Sequence, residues 1–407
     1  MTDLRWKTLE ASSKVICAHE PMPMTTRKSI FLAGPTPRDQ STPSWRPRAV
    51  RLLHELGFDG HIFVPEDRSG TFSGDYTGQV EWEREALNMA DVIVFWVPRD
   101  MATMPALTTN IEWGMWQDSG KAVFGAPPEA SSMRYLRWQA QQLKVPAFET
   151  LEATLEKSVE ILGDGAAREG GAARVPLHIW KHPTFQGWYE AQTAAGNRLD
   201  GARVLWTFRV GPERKKVFSW AVHVDVHIAS EGRNKVNEFV FGRVDIAAVV
   251  LYHLPPLKAY GSEETTRRED AKVVLVREFR SPARTKDGFI VELPAGSIEK
   301  LDPKSAALKE LEEETGVILS PDSLRPIGTR QVAGTLSAHT SVVFAAHINE
   351  EQLAQIEATK DEVRGVEVDS ERTTVVVDTF KNLLKGAHDV DWSTMGMITT
   401  AVLTEYF

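Results

Sequence analysis

Residues 309–316 read Lys309-Glu310-Leu311-Glu312-Glu313-Glu314-Thr315-Gly316, a strongly acidic stretch that ends at a glycine. Upstream, Asp302 can cap the free amide groups of a helix, and Pro303 is tolerated at the first helical position. Gly316 is a favourable helix stop because glycine readily takes the left-handed conformation. The sequence therefore predicts an acidic helix from Pro303 to Thr315.

Three glutamates share one side of this helix. At about 100° per residue, Glu310, Glu313 and Glu314 fall on a common arc, whereas Glu312 points elsewhere. Like charges on one arc repel one another unless a cation neutralises them, and Mg²⁺ is the hard, oxygen-seeking ion suited to such a site. We therefore interpret the arc as a magnesium site, with Mn²⁺ as an alternative ion. The competing interpretation is a solvated glutamate face.

Composition limits the classes of function. The chain has 407 residues, which favours two domains, and its 42% hydrophobic and 25% charged residues are typical of a globular protein. A formal net charge of -9 argues against a duplex nucleic acid as partner. Cys17 is the only cysteine, which excludes an intrachain disulfide and fits a cytoplasmic location. No apolar run approaches the length of about 20 residues that spans a bilayer, so no membrane partner is expected.

The pattern of apolar runs divides the chain. Residues 28–162 alternate short apolar runs with helical stretches, which is typical of a parallel sheet flanked by helices. The small-residue stretch 163–175 has little to bury and is interpreted as a linker. Residues 176–407 contain β-rich runs around the acidic helix, and residues 1–27 are interpreted as an N-terminal extension. The sequence thus predicts an α/β domain followed by an α+β domain.

The sequence ahead of the acidic helix extends the motif. Glu292-Leu293-Pro294-Ala295-Gly296 precedes the helix, and Val274-Leu275-Val276-Arg277-Glu278-Phe279-Arg280 lies further upstream. Together with the helix, these segments resemble the Nudix hydrolase family, in particular its ADP-ribose diphosphatases. The resemblance implies the α+β Nudix fold over residues 176–407 and magnesium-dependent hydrolysis of a nucleoside diphosphate linkage.

The same resemblance implies roles for individual glutamates. Glu310 and Glu314 would be the principal metal ligands, and Glu313 would assist them or orient water. A glutamate from a late loop would act as the catalytic base. Glu371 is the first candidate for that base, and Glu362 is the second.

The resemblance also implies substrate contacts. Arg280 would clamp a phosphate bidentately, and Gly296 would lie at the bound substrate. Two departures from the family pattern stand out: the stretch between Gly296 and the glutamates is one residue shorter, and Lys309 replaces an arginine. Lysine cannot reproduce the bidentate geometry of arginine.

A second motif lies in the first part of the chain. The sequence Phe31-Leu32-Ala33-Gly34-Pro35-Thr36-Pro37-Arg38 places a small-residue turn directly after a predicted strand. Further along, Glu83 lies eight residues before Asp91, and Glu112 begins a Glu-x-Gly step. These features resemble the nucleoside 2-deoxyribosyltransferase family, whose relatives include hydrolases of nucleotide N-glycosidic bonds. The resemblance covers about Lys28 to Leu136 and implies a flavodoxin-like or Rossmann-like parallel sheet.

This second resemblance implies a pair of catalytic carboxyl groups. Breaking a glycosidic bond builds positive charge on the sugar, which one carboxylate can stabilise or capture while another group protonates the leaving base. Glu112 would be the nucleophile, and Glu83 would be the proton donor or would orient the base. Gly34 and Pro35 would contact the substrate. Asp91, also counted among the substrate-binding residues, would shape the sugar site or anchor the loop.

We interpret the chain as a bifunctional enzyme that acts on a small nucleotide or dinucleotide. If the first domain accepted an NAD-like dinucleotide, loss of the base would leave ADP-ribose, which the second domain would split into AMP and ribose 5-phosphate. Alternatively, the second domain would convert a nucleoside triphosphate into a monophosphate, which the first domain would strip of its base. In two further alternatives only one domain is catalytically active. Either the first domain is a non-catalytic nucleotide sensor that regulates the Nudix hydrolase, or the Nudix site is degenerate and only the glycosidase is active. Both families commonly form oligomers, so a homo-oligomer is expected.

Overall fold

A six-stranded sheet organises the first part of the chain. The computed structural model describes residues 14–38, 41–69, 74–256, 264–298, 301–365 and 371–404. The chain divides into two compact units, Met1–Gly242 and Arg243–Phe407. The strands of the first unit are β1 (Lys14–Cys17), β2 (Thr25–Thr26), β3 (Ser29–Ala33), β4 (His61–Val64), β5 (Val92–Trp96), β6 (Ala122–Gly125), β7 (Ala147–Phe148), β8 (Arg168–Glu169), β9 (Arg198–Val210), β10 (Lys216–Ile228) and β11 (Arg233–Arg243). The main sheet has the order β1-β4-β3-β5-β6-β7, and all its pairings are parallel.

Helices cover both faces of this sheet. They are α1 (Arg46–Glu55), α2 (Tyr76–Met89), α3 (Leu107–Trp116), α4 (Arg134–Gln142), α5 (Leu151–Leu162), α6 (Leu177–Trp180) and α7 (Pro183–Ala194), with short 3-10 helices at Gly170–Arg174 and Pro212–Arg214. Because successive strand residues point to opposite faces, each strand contributes to two cores. Phe31 and Phe95 pack into one core, and Leu32 and Val94 into the other. The predicted α/β architecture is confirmed.

The structure differs from the sequence prediction at both ends of this domain. Lys14–Cys17, which falls in the predicted N-terminal extension, pairs with His61–Val64 as a strand of the main sheet. The predicted linker 163–175 contains β8 and a 3-10 helix, and its residues Ala172 and Ala173 are buried. Small side chains allow this segment to pack closely, so its composition misled the prediction.

The first unit also contains a three-stranded sheet of the order β11-β10-β9, in which β9 and β10 are antiparallel. Trp220 on β10 is fully buried in its core, where it packs with Ala172, Val175 and Phe185. The sequence assigned everything after residue 175 to the second domain. The second compact unit instead begins at Arg243.

The second unit is built on a mixed sheet. Its strands are β12 (Ile246–His253), β13 (Lys272–Phe279), β14 (Phe289–Glu292), β15 (Ala295–Ser297), β16 (Arg325–Gln331), β17 (Thr340–His347) and β18 (Thr374–Thr379). The strands follow the order β14-β13-β12-β17-β16, with β15 paired to β12 and β18 to β13. The β12–β17 pairing is parallel, whereas β13 is antiparallel to its neighbours. This mixture of strands and helices confirms the predicted α+β class.

Helices also cover both faces of the mixed sheet. They are α8 (Glu264–Glu269), α9 (Pro303–Thr315), α10 (Glu350–Ala358), α11 (Phe380–Leu384) and α12 (Trp392–Leu403), with a 3-10 helix at Pro321–Ser323. Leu311 of α9 is buried on one face, and Ile398 of α12 on the other. Within the described ranges, no helix has the length and apolar character that crossing a membrane requires.

The acidic helix has the predicted bounds. The Asp302 carboxylate accepts hydrogen bonds from the backbone N–H groups of Lys304 and Ser305 at 3.0 and 3.1 Å. Gly316 ends the helix with a φ of +74°, a conformation that favours glycine. Local capping chemistry therefore sets both ends of α9.

Candidate functional site

A tightly packed turn lies at the carboxyl end of β3. Gly34 has a φ of +152°, and a Cβ at this position would lie 2.1 Å from the carbonyl oxygen of Trp96. The Pro35 carbonyl accepts a hydrogen bond from Trp45 Nε1 at 3.1 Å. Ligands of parallel α/β sheets bind at this edge, outside the carboxyl ends of the strands. The two residues predicted to contact the substrate therefore form a rigid turn in a suitable place.

The buried guanidinium of Arg46 supports this turn. Its side chain is 1% exposed, and Nη1 pairs with Glu66 at 2.5 Å and donates to Thr36 Oγ1 at 3.0 Å. Nε donates to the Leu32 carbonyl at 3.0 Å, and Nη2 donates to the Gly34 carbonyl at 2.6 Å. Burying a charge is costly unless it is paired and hydrogen-bonded, and Arg46 meets both conditions. Arg46 thereby ties the turn to α1.

Two half-buried carboxyl groups interact in this unit, Glu83 on α2 and Glu112 on α3. Burial raises the pKa of Glu112 to about 8; the negative charge of Glu83 adds to this rise, and Arg46 opposes it. Burial also raises the pKa of Glu83, although Gln79 Nε2 donates to its carboxylate at 2.8 Å. The structure thus brings the two predicted catalytic residues together. With a pKa of about 8, Glu112 is largely protonated near neutral pH.

Asp91 has a different environment. Arg168 donates to both of its carboxylate oxygens at 2.7 Å, and both side chains are fully buried. The backbone N–H of Leu177 donates to Asp91 Oδ1 at 2.8 Å, and Ser29 Oγ donates to Oδ2 at 3.0 Å. These internal partners occupy both oxygens, so the geometry does not support the predicted substrate contact. Asp91 anchors the segment that carries Arg168 and Leu177.

Breaking this buried pair should destabilise the first unit. We expect Arg168→Met to lower the free energy of unfolding by about 3–5 kcal/mol, because Asp91 would be left buried without a countercharge. Urea denaturation followed by circular dichroism measures the effect. Arg48→Met is the matched control: its pair with Glu152 is exposed, at 59% and 41%, and should contribute less than about 1 kcal/mol. Equal losses in the two variants would contradict this account of Asp91.

Glu314 is the buried carboxylate of α9, with 4% of its surface exposed. Burial raises its pKa to about 9, and the charges of Glu310, Glu292 and Glu278 add to the rise. The backbone N–H of Ala295 donates to Glu314 Oε2 at 3.1 Å, which opposes the rise. A carboxylate in such an acidic environment gains from a nearby cation.

The other predicted metal ligands flank Glu314. A Cβ at Gly296 would lie 2.0 Å from the Glu310 carboxyl carbon, so this glycine on β15 makes room for Glu310. Glu313 accepts a hydrogen bond from Lys309 Nζ at 2.8 Å. Among the described residues, no three histidine, cysteine or acidic side chains are grouped closely enough to hold a metal ion as they stand. The oxygen donors and the mutual repulsion around Glu314 nevertheless suit a divalent cation.

Arg280 lies among further acidic side chains. Its Nε and Nη2 donate to Glu292 Oε1 at 2.8 and 2.6 Å, and Nη2 lies 2.9 Å from Glu278 Oε2. Glu278 is buried, and burial raises its pKa while Arg280 opposes the rise. Arg280 Nη1 makes no hydrogen bond with any described residue, so that part of the guanidinium is available to an anion.

The structure distinguishes the two candidates for a catalytic base. Glu371 interacts electrostatically with Glu278 and with Lys309, so it lies near the acidic side chains around Glu314. Glu362 is 61% exposed and pairs with Arg364 at 2.8 Å. The geometry therefore favours Glu371, the first of the two sequence candidates.

Comparisons with known families match two separate parts of the chain. Residues 27–130 match the family model described as nucleoside 2-deoxyribosyltransferase like, and residues 265–380 match the NUDIX domain model. The chain contains a deoxyribosyltransferase-like domain and a NUDIX domain. The first match includes Gly34, Glu83 and Glu112, and the NUDIX match includes Arg280 and the glutamates of α9.

Two relatives share sequence with this chain. The ADP-ribose pyrophosphatase of Bacillus subtilis (strain 168) is 32% identical over 118 residues, which cover 29% of this chain and 56% of that protein. The methanol dehydrogenase activator of Bacillus methanolicus is 52% identical over 46 residues, which cover 11% of this chain and 23% of that protein. The chain thus spans about half of the first relative and about a quarter of the second.

Sequence reasoning missed several residues near the two sites. In the NUDIX domain these are Glu278 and Glu292. The sequence could have indicated Glu278, because a carboxylate at an inward position of an apolar strand is rarely unpaired. In the deoxyribosyltransferase-like domain the supporting role of Arg46 and its partner Glu66 was missed. Their pairing joins α1 to the segment after β4, which no local pattern indicates.

Proposed function

We propose that the NUDIX domain hydrolyses a diphosphate linkage in an ADP-ribose-like substrate, and that the deoxyribosyltransferase-like domain cleaves an N-glycosidic bond. The observation that carries the first half is the buried Glu314, whose pKa is raised among Glu310, Glu292 and Glu278. The name of the Bacillus subtilis relative supports the choice of substrate. The coupled pair of Glu83 and Glu112 supports the second half.

Residues of the NUDIX domain have complementary roles in this proposal. Glu310 and Glu314 would hold a divalent ion, Mg²⁺ or Mn²⁺, and Glu313 would assist them or orient water after exchanging its contact with Lys309. The ion would supply positive charge that stabilises the phosphoryl oxygens. Arg280 would bind a phosphate oxygen, and Glu371 would accept the proton of the attacking water. Gly296 would keep the space that Glu310 occupies.

The metal site makes a prediction about stability. Folding raises the pKa of the Glu314 carboxyl group from 4.5 to about 9. The contribution of this group to the free energy of unfolding is therefore fully present below pH 4.5 and is lost as the pH rises through about 9. Without metal at pH 9, we therefore expect Glu314→Gln to be more stable than the native protein by several kcal/mol. Mg²⁺ should raise the melting temperature of the native protein and leave that of Glu314→Gln unchanged.

Calorimetry with and without a chelator measures both effects. Glu312→Gln, at an exposed position of the same helix, is the control and should behave like the native protein. Equal stabilisation of native protein and Glu314→Gln by Mg²⁺ would remove Glu314 from the metal site.

The proposed glycosidic cleavage uses the shared proton of Glu83 and Glu112. The bond between the sugar carbon and the base nitrogen breaks, Glu83 gives its proton to the leaving base, and ionised Glu112 stabilises or captures the sugar carbon. Water then releases the sugar, and Glu83 takes up the proton of that water. Because burial raises the pKa of Glu112 to about 8, this residue holds a proton near neutral pH before the substrate binds, and binding must favour transfer of that proton to Glu83.

The two reactions are connected by their products. Loss of the base from an NAD-like dinucleotide would supply ADP-ribose, and cleavage of its diphosphate would give AMP and ribose 5-phosphate. The full chain should be incubated with Mg²⁺ and NAD, ADP-ribose or nucleoside triphosphates, with free bases and monophosphates detected by mass. We expect Glu314→Gln to stop diphosphate cleavage alone and Glu112→Gln to stop base release alone. Nucleotide binding without base release would favour a sensor, and no phosphate product would indicate a degenerate NUDIX site.

We also infer a homo-oligomer. Trp206 and Phe208 on β9 are 49% and 47% exposed and stack with ring centroids 6.1 Å apart. Val236 and Phe239 on β11 are also exposed. Exposed apolar groups on a sheet are typical of a surface that binds another protein. Light scattering should give more than one chain per particle, and a single-chain mass for the native protein would contradict the inference.

A further inference from the structure

A cavity lies in the first unit, at the opposite edge of the parallel sheet from the Gly34 turn. Its volume is about 730 Å³. Lys14 and His61, the first residues of β1 and β4, line it together with Gly60. The amino and carboxyl ends of parallel strands lie at opposite edges of a sheet. The cavity is therefore separate from the turn at the carboxyl end of β3, and its volume is within the range of small-molecule sites.

One side of the cavity is aromatic. Trp180 of α6 and Tyr189 of α7 line it, with ring centroids 5.0 Å apart at an angle of 63°. Both residues are only half-buried. Their partly exposed rings provide surface on which a planar heteroaromatic group can stack.

The polar residues of the cavity include groups that have no partner in the part of the chain that the structure describes. His61 Nδ1 is 3.0 Å from Thr26 Oγ1, which orients the ring, and Nε2 makes no hydrogen bond with a described residue. Lys14 and Glu169 form no ion pair within the described ranges. The other acidic group, Asp59, is already paired with Lys28 at 2.7 Å.

We propose that this cavity binds a nucleoside monophosphate. Its base would stack on Trp180, and its phosphate would interact with Lys14 and Arg27, which also lines the cavity. Glu169 would accept hydrogen bonds from an amino group of the base or from the ribose. This site is additional to the two in the proposed function and does not depend on either activity.

Equilibrium dialysis of the full chain against AMP tests the proposal. Every sample carries Glu112→Gln and contains a metal chelator, so that base release and metal-dependent binding are both suppressed. Trp180→Ala and Lys14→Glu should each weaken AMP binding at least about tenfold. Adenosine and ribose 5-phosphate, which lack the phosphate or the base, should bind more weakly than AMP.

Matched controls separate the cavity from the rest of the surface. Trp138→Ala removes a tryptophan that is 53% exposed on α4, outside the cavity, and should leave AMP binding unchanged. Trp180 packs against Phe185 at a centroid distance of 5.8 Å, so its loss can affect folding. Lys14 is exposed and tests the site without that effect. No AMP binding at concentrations on the order of 1 mM, or native affinity in Lys14→Glu, would overturn the proposal.

Discussion

Glu314→Gln is expected to lower kcat/KM for ADP-ribose hydrolysis by about 10³-fold, because metal-ion catalysis supplies several kcal/mol of transition-state stabilisation. Glutamine preserves the size of the side chain and can still accept the hydrogen bond from Ala295. It removes the negative charge that would bind the ion. The effect should therefore arise from electrostatics, with the fold preserved.

The exposed Glu312 provides the control for this prediction. Glu312→Gln changes the same formal charge on the same helix, away from the acidic arc, and should retain the native rate. Phosphate products measured over a range of Mg²⁺ concentrations would separate weaker metal binding from slower chemistry. Equal rates in native protein and Glu314→Gln would refute the assignment of the NUDIX site.

The second large effect is expected at the carboxyl pair of the other domain. Glu112→Gln and Glu83→Gln should each lower base release by about 10³-fold, because each removes a group that must exchange a proton or stabilise the sugar. In the native protein, kcat/KM should fall as the pH rises through about 8, where Glu112 would ionise and the pair would lose its proton. It should also fall at low pH, where both groups are protonated.

The pH profile of kcat/KM distinguishes a catalytic role of Glu83 and Glu112 from a purely structural one. Each glutamine variant should lose one limb of the native bell-shaped curve, since one titrating group is gone. Glu81→Gln, at an exposed position of α2, is the control and should keep both limbs. A native profile that is flat from about pH 6 to about pH 9 would contradict the proton-sharing pair.

Local chemistry made much of the fold predictable from the sequence. The bounds of α9 follow from Asp302 and Gly316, whose effects act within a few residues. Strands such as β4 at His61–Val64 follow from short apolar runs. The order of strands in the sheets could not be derived in this way, because pairing joins segments that are distant in the sequence.

The sites were predictable to a similar extent. The resemblance to the deoxyribosyltransferase family identifies Glu83 and Glu112, and the structure brings them together. The burial of Asp91 against Arg168 could not be predicted, because Arg168 lies in a segment of small residues that resembles a linker. The contact of Arg280 with Glu292 likewise depends on the pairing of β13 with β14.

The packing around Trp220 has a consequence for separating the two activities by gene truncation. A fragment that began at Pro176 would retain β9, β10 and β11 but would lose Ala172 and Val175 from their core. Such a fragment would expose apolar surface and tend to aggregate. A fragment that began near Arg243 would avoid this defect. For separate expression, the chain is therefore best divided near Arg243, well beyond the small-residue stretch 163–175.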